Sequence, residues 1–90
     1  MKTWTVEFDT RAARELRALD HTTRRRILRF LRQRIAGDED PRRLGRPLKG
    51  QSVPLWRYRV GDHRLVCSIE DDRLIVLVVR LGHRKEVYRR

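Results

Sequence analysis

The stretch Leu55-Trp56-Arg57-Tyr58-Arg59-Val60-Gly61-Asp62-His63-Arg64-Leu65-Val66-Cys67-Ser68-Ile69 decides the fold. In an extended chain Trp56, Tyr58 and Val60 share one face, and Arg57 and Arg59 share the other. Gly61-Asp62 supplies a tight turn into a second strand, His63 to Ile69. Asp71-Asp72 marks another turn, and Arg73 to Leu81 follows as a third strand. Within it Leu74-Ile75-Val76-Leu77-Val78-Val79 is apolar at every position, which fits a central strand buried on both faces. Gly82 is expected to end that strand.

Working back toward the N-terminus, Thr3 to Phe8 alternates, with Trp4, Val6 and Phe8 inward. Asp9 is a good cap for a helix from about Thr10 to Leu19 that turns Ala12, Ala13, Leu16 and Leu19 inward. Asp20 or Thr22 caps a second helix running to about Ile35, with an apolar stripe of Ile27, Leu28, Phe30, Leu31 and Ile35. Arg25, Arg26, Arg29 and Arg32 project the other way, either as a solvated face or as a grip on an anionic partner. Gly37 to Gly50 reads as a loop anchored by Leu44 and Leu48. The order is β-α-α-β-β-β: an α+β fold with a mostly antiparallel sheet, both helices on one face, and a short C-terminal segment.

Composition narrows the function. The chain has 90 residues, enough for one domain over residues 1–90. It carries 23 Lys+Arg against 12 Asp+Glu, a net charge of +11 that points to a polyanionic partner, nucleic acid first. The only lysines are Lys2, Lys49 and Lys85, so arginine supplies most of the charge. No apolar run approaches the ~20 residues of a membrane span, and the N-terminus lacks the apolar core of a secretory signal. With the single Cys67, this reads as a cytoplasmic protein without internal disulfides. The scattered histidines give no zinc spacing, and no glycine-rich phosphate loop is present. Cys67 shares a face with Leu65 and Ile69, as a buried, inert thiol would.

The chain resembles the RelE toxins of prokaryotic toxin–antitoxin modules, within the wider RelE/ParE superfamily. The resemblance is carried by RRLGRPLKG at Arg42–Gly50, LWRYRVGDHRLVCSI at Leu55–Ile69, and VVRLGHRKEVYRR from Val78. It implies a ribosome-dependent mRNA endoribonuclease. The 2′-hydroxyl attacks the adjacent phosphate, without a metal or other cofactor, leaving a cyclic phosphate and a free 5′-hydroxyl. The site it implies is Arg57 and Arg59 on one strand face, Arg64 after the turn, Arg84 for the transition state, and Tyr88 to stack or to orient the attacking hydroxyl. Arg46, Lys49, His83 and Lys85 are expected as further RNA contacts. Familiar members carry lysines where this chain has Arg57 and Arg59. An arginine stays protonated, which leaves electrostatic stabilisation to this pair. The proton acceptor stays open between His83 and His63, the residues that titrate near neutrality. The resemblance also implies a toxin monomeric by itself. Its partners would be the ribosome, mRNA and a cognate acidic RelB-like antitoxin that joins it in a hetero-oligomer. Two other readings stand beside it. One is a ParE-like inhibitor of DNA gyrase on the same fold, a branch generally without the full basic-plus-tyrosine set. The other is a non-catalytic RNA- or DNA-binding module.

Overall fold

The computed structural model describes residues 3–83. Strand β1 (Thr5–Phe8) leads directly into helix α1 (Thr10–Arg17), followed by helix α2 (His21–Phe30). Strands β2 (Arg46–Leu48), β3 (Leu55–Val60), β4 (His63–Glu70) and β5 (Ile75–His83) complete a five-stranded sheet in the order β1-β5-β4-β3-β2. All pairings are antiparallel except β1 with β5, which is parallel. The α+β layout expected above is therefore present, with one strand more than the alternation revealed.

The helices start where their caps dictate. Asp9 accepts from the Ala12 N–H at 2.8 Å and Asp20 from the Thr23 N–H at 3.1 Å. Each satisfies a backbone donor that the first helical turn leaves open. Asp20, not Thr22, is thus the second cap. α2 ends at Phe30, and a π-turn carries the chain on to Ile35, with the Ala36 N–H donating to the Leu31 carbonyl at 2.9 Å.

Both helices lie on one face of the sheet. There Ala12, Ile27, Leu31 and Ile35 meet Trp4, Tyr58, Val60, Leu65, Cys67, Val76, Val78 and Leu81 in one core. Phe30 meets Tyr58 edge-on, with ring centroids 6.2 Å apart. Leu28 does not join this stripe; it is exposed beside β1.

Two local features position the open face of the sheet. Tyr58 donates its hydroxyl to the Pro41 carbonyl at 2.9 Å, which ties the Pro41–Leu44 turn to β3. A Cβ on Gly45 would lie 2.8 Å from Tyr58 Cε1 and 2.9 Å from the Arg57 carbonyl. Only glycine lets the loop come that close, and so lets the next three residues pair with β3 as β2. The second feature is a bulge: Val66 pairs with Arg80 but Cys67 with Val78, leaving Val79 as an extra residue on β5. The bulge returns Leu81 to the core and Arg80 to the open face.

Two sequence expectations change at β5. Gly82 does not end the strand but pairs with Arg64 inside it. Leu74 is not a strand residue; it closes the β4–β5 turn at φ 52, a left-handed conformation costly for a branched side chain. Among the described residues no helix is long and apolar enough to cross a membrane.

Candidate active site

Directly paired residues of neighbouring strands point to the same side of a sheet. Arg46 pairs with Arg57, and Arg59 with Arg64. Arg57 shares the open face with Arg59, so β2, β3 and β4 deliver all four guanidiniums to it. They line a cleft of about 240 Å³ together with Leu44, Gly45 and Tyr58. One row runs Arg46, Arg57, Val66, Arg80 across four strands, and Arg59, Arg64, Gly82 form the row beside it.

The electrostatics of the cleft are one-sided. Among the described residues no carboxylate forms an ion pair with Arg46, Arg57, Arg59 or Arg64. Arg59 Nε donates to the Gly61 carbonyl at 3.2 Å, which fixes the arm beside the turn. Arg64 is the unusual member: its Nη1 is enclosed and has no hydrogen-bond partner among the described residues. An enclosed N–H without an acceptor costs about 1–3 kcal/mol. Like charges directly opposite on a sheet cost about 0.2–1 kcal/mol more. Neither term serves folding; an anion in the cleft would relieve both.

The ion pairs lie elsewhere. Arg42 is held between Asp40 and Asp71, Arg43 by Asp38 at 2.8 Å, and Arg73 by Glu70 at 3.1 Å. These surround the β4–β5 turn, at the end of the sheet opposite the Gly61 turn. Hydrogen bonding to Arg43 holds the Asp38 carboxyl below its usual range. These ion-paired acids therefore lie toward one end of the sheet and the cleft arginines toward the other, where Asp62 is the acid of the turn.

Arg80 was not among the residues singled out from the sequence. Its Nε donates to Glu15 Oε2 at 3.3 Å, while Glu15 Oε1 accepts from the Leu81 N–H at 2.9 Å. Glu15 thereby covers the edge of β5 that β1 leaves open beyond Phe8. Only the bulge puts Arg80 on the arginine side, and a bulge leaves no mark in an uninterrupted apolar run.

Other expected residues fall away from the cleft. His63 and His83 pair across β4 and β5, their rings 5.9 Å apart, but alternation puts both on the helix face. His63 there lines a separate cavity with Thr23, Arg26, Ile27, Val60 and Asp62. Neither imidazole lines the arginine cleft, where the sequence leads us to expect a proton acceptor and, at His83, an RNA contact. Lys49 is exposed in the turn after β2, outside the cleft lining. Arg84, Lys85 and Tyr88 lie outside the described residues. Tyr58 is buried, and burial pushes its phenol well above the ordinary range. Burial likewise pushes the Cys67 thiol up to about 12, which suits a core residue and not a nucleophile. Among the described residues no group of three or more His, Cys, Asp or Glu side chains is placed to hold a metal ion.

Comparison with known proteins settles the family. The family described as ParE toxin of type II toxin-antitoxin system, parDE, matches residues 6–88. The chain belongs to the RelE/ParE superfamily of type II toxins. It is 35% identical to Toxin RelG of Mycobacterium tuberculosis over 97% of this chain and 98% of that one. It is 30% identical to Toxin RelE of the same organism, over 93% and 84% of the two chains. The crystal structure of the RelBE2 toxin–antitoxin complex from that organism superposes with a TM-score of 0.83 at 29% identity, over 96% of this chain and 97% of its counterpart. In this superfamily toxin the arginine cleft is the feature that calls for an anionic ligand.

Proposed function

We propose that this toxin is a ribosome-dependent mRNA endoribonuclease that inhibits translation in the cytoplasm. The observation that carries the reading is the enclosed Arg64 Nη1, without a hydrogen-bond partner among the described residues, amid three more arginines that none of the described carboxylates pairs with. Attack of an RNA 2′-hydroxyl on its own phosphate passes through a dianionic phosphorane. Guanidiniums fixed in a cleft stabilise such charge without reorganising, and they bind two phosphate oxygens at once. Arg64 and Arg59 contact the scissile phosphate. Arg57 and Arg46, one strand spacing apart, hold the neighbouring phosphate. Among the described residues the cleft supplies cations and no base: arginine stays protonated, and His63 and His83 face the helices. In this reading Arg84 neutralises the developing charge and Tyr88 orients the attacking hydroxyl, both carried over from the family resemblance. A site without a strong base is slow on free RNA and depends on a ribosome-held substrate conformation.

The antitoxin is an acidic RelB-like chain. Relatives crystallise as toxin–antitoxin complexes, and a +11 toxin suits an acidic segment that folds as it wraps the basic face. The test is cell-free translation with 5′-end mapping of the mRNA. Cuts within codons, seen only with ribosomes and lost in Arg64→Ala, support the reading. Undisturbed translation with blocked gyrase supercoiling would favour the ParE-like alternative, which the name of the matching family keeps in play.

A further inference from the structure

Arg80 lies on the open face but outside the cleft lining. An irregularity puts it there. Regular alternation from Val76 and Val78 would turn residue 80 toward the helices, and the extra Val79 turns it the other way. A bulge gives up a ladder position, and bulges gather beside active sites because they re-aim a side chain.

Only part of the Arg80 fork is occupied. Its Nε donates to Glu15 Oε2 at 3.3 Å, long for a charge-assisted bond. Glu15 is shared, since its Oε1 accepts from the Leu81 N–H at 2.9 Å. Among the described residues neither Nη of Arg80 has a hydrogen-bond partner. Glu15 therefore steadies the guanidinium from its Nε side and leaves the Nη1–Nη2 edge open. Such an edge can meet two phosphate oxygens at once. The side chain keeps 22% of its surface exposed, enough to be reached.

Position names the partner. Arg80 ends the row Arg46, Arg57, Val66, Arg80. Neighbouring strands lie about 4.8 Å apart, so its Cα stands about 10 Å from that of Arg57. Val66 between them is short and uncharged. Gly82, two residues beyond Arg80 and opposite Arg64, puts no side chain between those two arginines. Arg80 thus flanks the scissile position at Arg59 and Arg64 on the side away from Arg46 and Arg57. We infer that Arg80 is a further substrate contact, which takes the phosphate on the β5 side of the scissile one. The toxin then grips three successive phosphates of a single strand, and Glu15 is the counter-charge that holds the third guanidinium in place until RNA arrives. The inference deepens the nuclease reading and rests on it for single-stranded RNA as the ligand.

The experiment measures binding of labelled, uncleavable 2′-O-methyl oligoribonucleotides to the full chain, well below the melting temperature of every variant. A trinucleotide carries two phosphates and a tetranucleotide three. Arg80→Gln should weaken the tetranucleotide about five- to tenfold at 0.1 M salt and flatten its slope of log K against log salt by about 0.7, the value for one contact to a single strand. It should leave the trinucleotide within about twofold. Glu15→Gln frees Arg80 from its competing carboxylate and should strengthen the tetranucleotide by about two- to threefold. Both variants lose the same ion pair, so a purely structural pair would move them in the same direction. The inference is overturned if Arg80→Gln weakens both oligonucleotides alike or neither, if Glu15→Gln weakens the tetranucleotide as Arg80→Gln does, or if the wild type binds no oligonucleotide. Loss of affinity in Arg80→Gln for an acidic antitoxin peptide alone would equally overturn it, in favour of a protein contact. The expected pattern without cleavage on ribosomes would sink the nuclease reading and leave this contact standing. Cleavage on ribosomes with tetranucleotide binding unmoved by Arg80→Gln would sink the contact alone.

Discussion

Arg64→Met should make the protein more stable and nearly inactive. Methionine keeps most of the unbranched stem against the sheet while removing the guanidinium. Two costs vanish: the enclosed, unpartnered Nη1, about 1–3 kcal/mol, and the like charge opposite Arg59, about 0.2–1 kcal/mol. Against them stands a small void left by the shorter chain, about 1 kcal/mol. The net is a gain of about 1–2 kcal/mol. In a domain of this size each kcal/mol raises Tm by about 4–8 °C. Single-turnover cleavage on mRNA-programmed ribosomes should fall by about 10²–10³, the usual cost of removing one preorganised donor from a developing oxyanion. Sulfate should close part of the stability gap, since it binds the wild-type cleft and not the variant's. A lower Tm in Arg64→Met, or cleavage within about threefold of wild type, would refute the idea that this guanidinium is held strained for an anion.

Gly45→Ala should lower stability by about 1–3 kcal/mol through overpacking, because the new Cβ lands 2.8 Å from Tyr58 Cε1 and 2.9 Å from the Arg57 carbonyl. Chemical denaturation measures this, and hydrogen exchange should show β2 loosening first. Glu15→Gln keeps an acceptor for the Leu81 N–H but removes the charge partner of Arg80, and should cost about 1 kcal/mol, between surface and buried pairs. In a double-mutant cycle with Arg80→Gln the two losses should not add. On the alkaline side, the Cys67 thiol is raised from 9.0 to about 12 in the folded chain, and the Tyr58 phenol is raised from 10.0. The unfolded chain releases these protons first, so their stabilising contribution is complete below pH 9 and drains away as pH climbs toward 12. Denaturation midpoints between pH 8 and 11 should fall accordingly, and a thiol reagent should find Cys67 unreactive at pH 8 until the protein unfolds. Asp9→Ala should cost about 1 kcal/mol by uncapping α1, read from its Tm.

The arginine face was legible because alternation has a period of two and a hairpin turn fixes the register. Given Gly61-Asp62, Arg57, Arg59 and Arg64 had to share a side. Arg46 was harder: it sits in a glycine- and proline-rich stretch that reads as loop, and only the Gly45–Tyr58 approach makes it a strand neighbour of Arg57. The same logic, followed to His63, would have turned its ring toward the helices, since Val60 pairs with His63 and is buried, whereas His83 lies past the β5 bulge that reverses its side. The parallel pairing of β1 with β5 joins segments about seventy residues apart in the chain, and nothing local encodes it. Arg80 stayed hidden for the opposite reason, since one uncounted bulge residue reverses its side.

The ion-paired acids around the β4–β5 turn, set against cleft guanidiniums that have no carboxylate partner among the described residues, give the molecule a lasting electrical polarity. In the field of a nucleic acid it is turned before it touches, arriving with the Gly61 end leading and the β4–β5 turn trailing. Capture is then fast in dilute electrolyte and slows as salt rises, even where the final bound pose is unaltered.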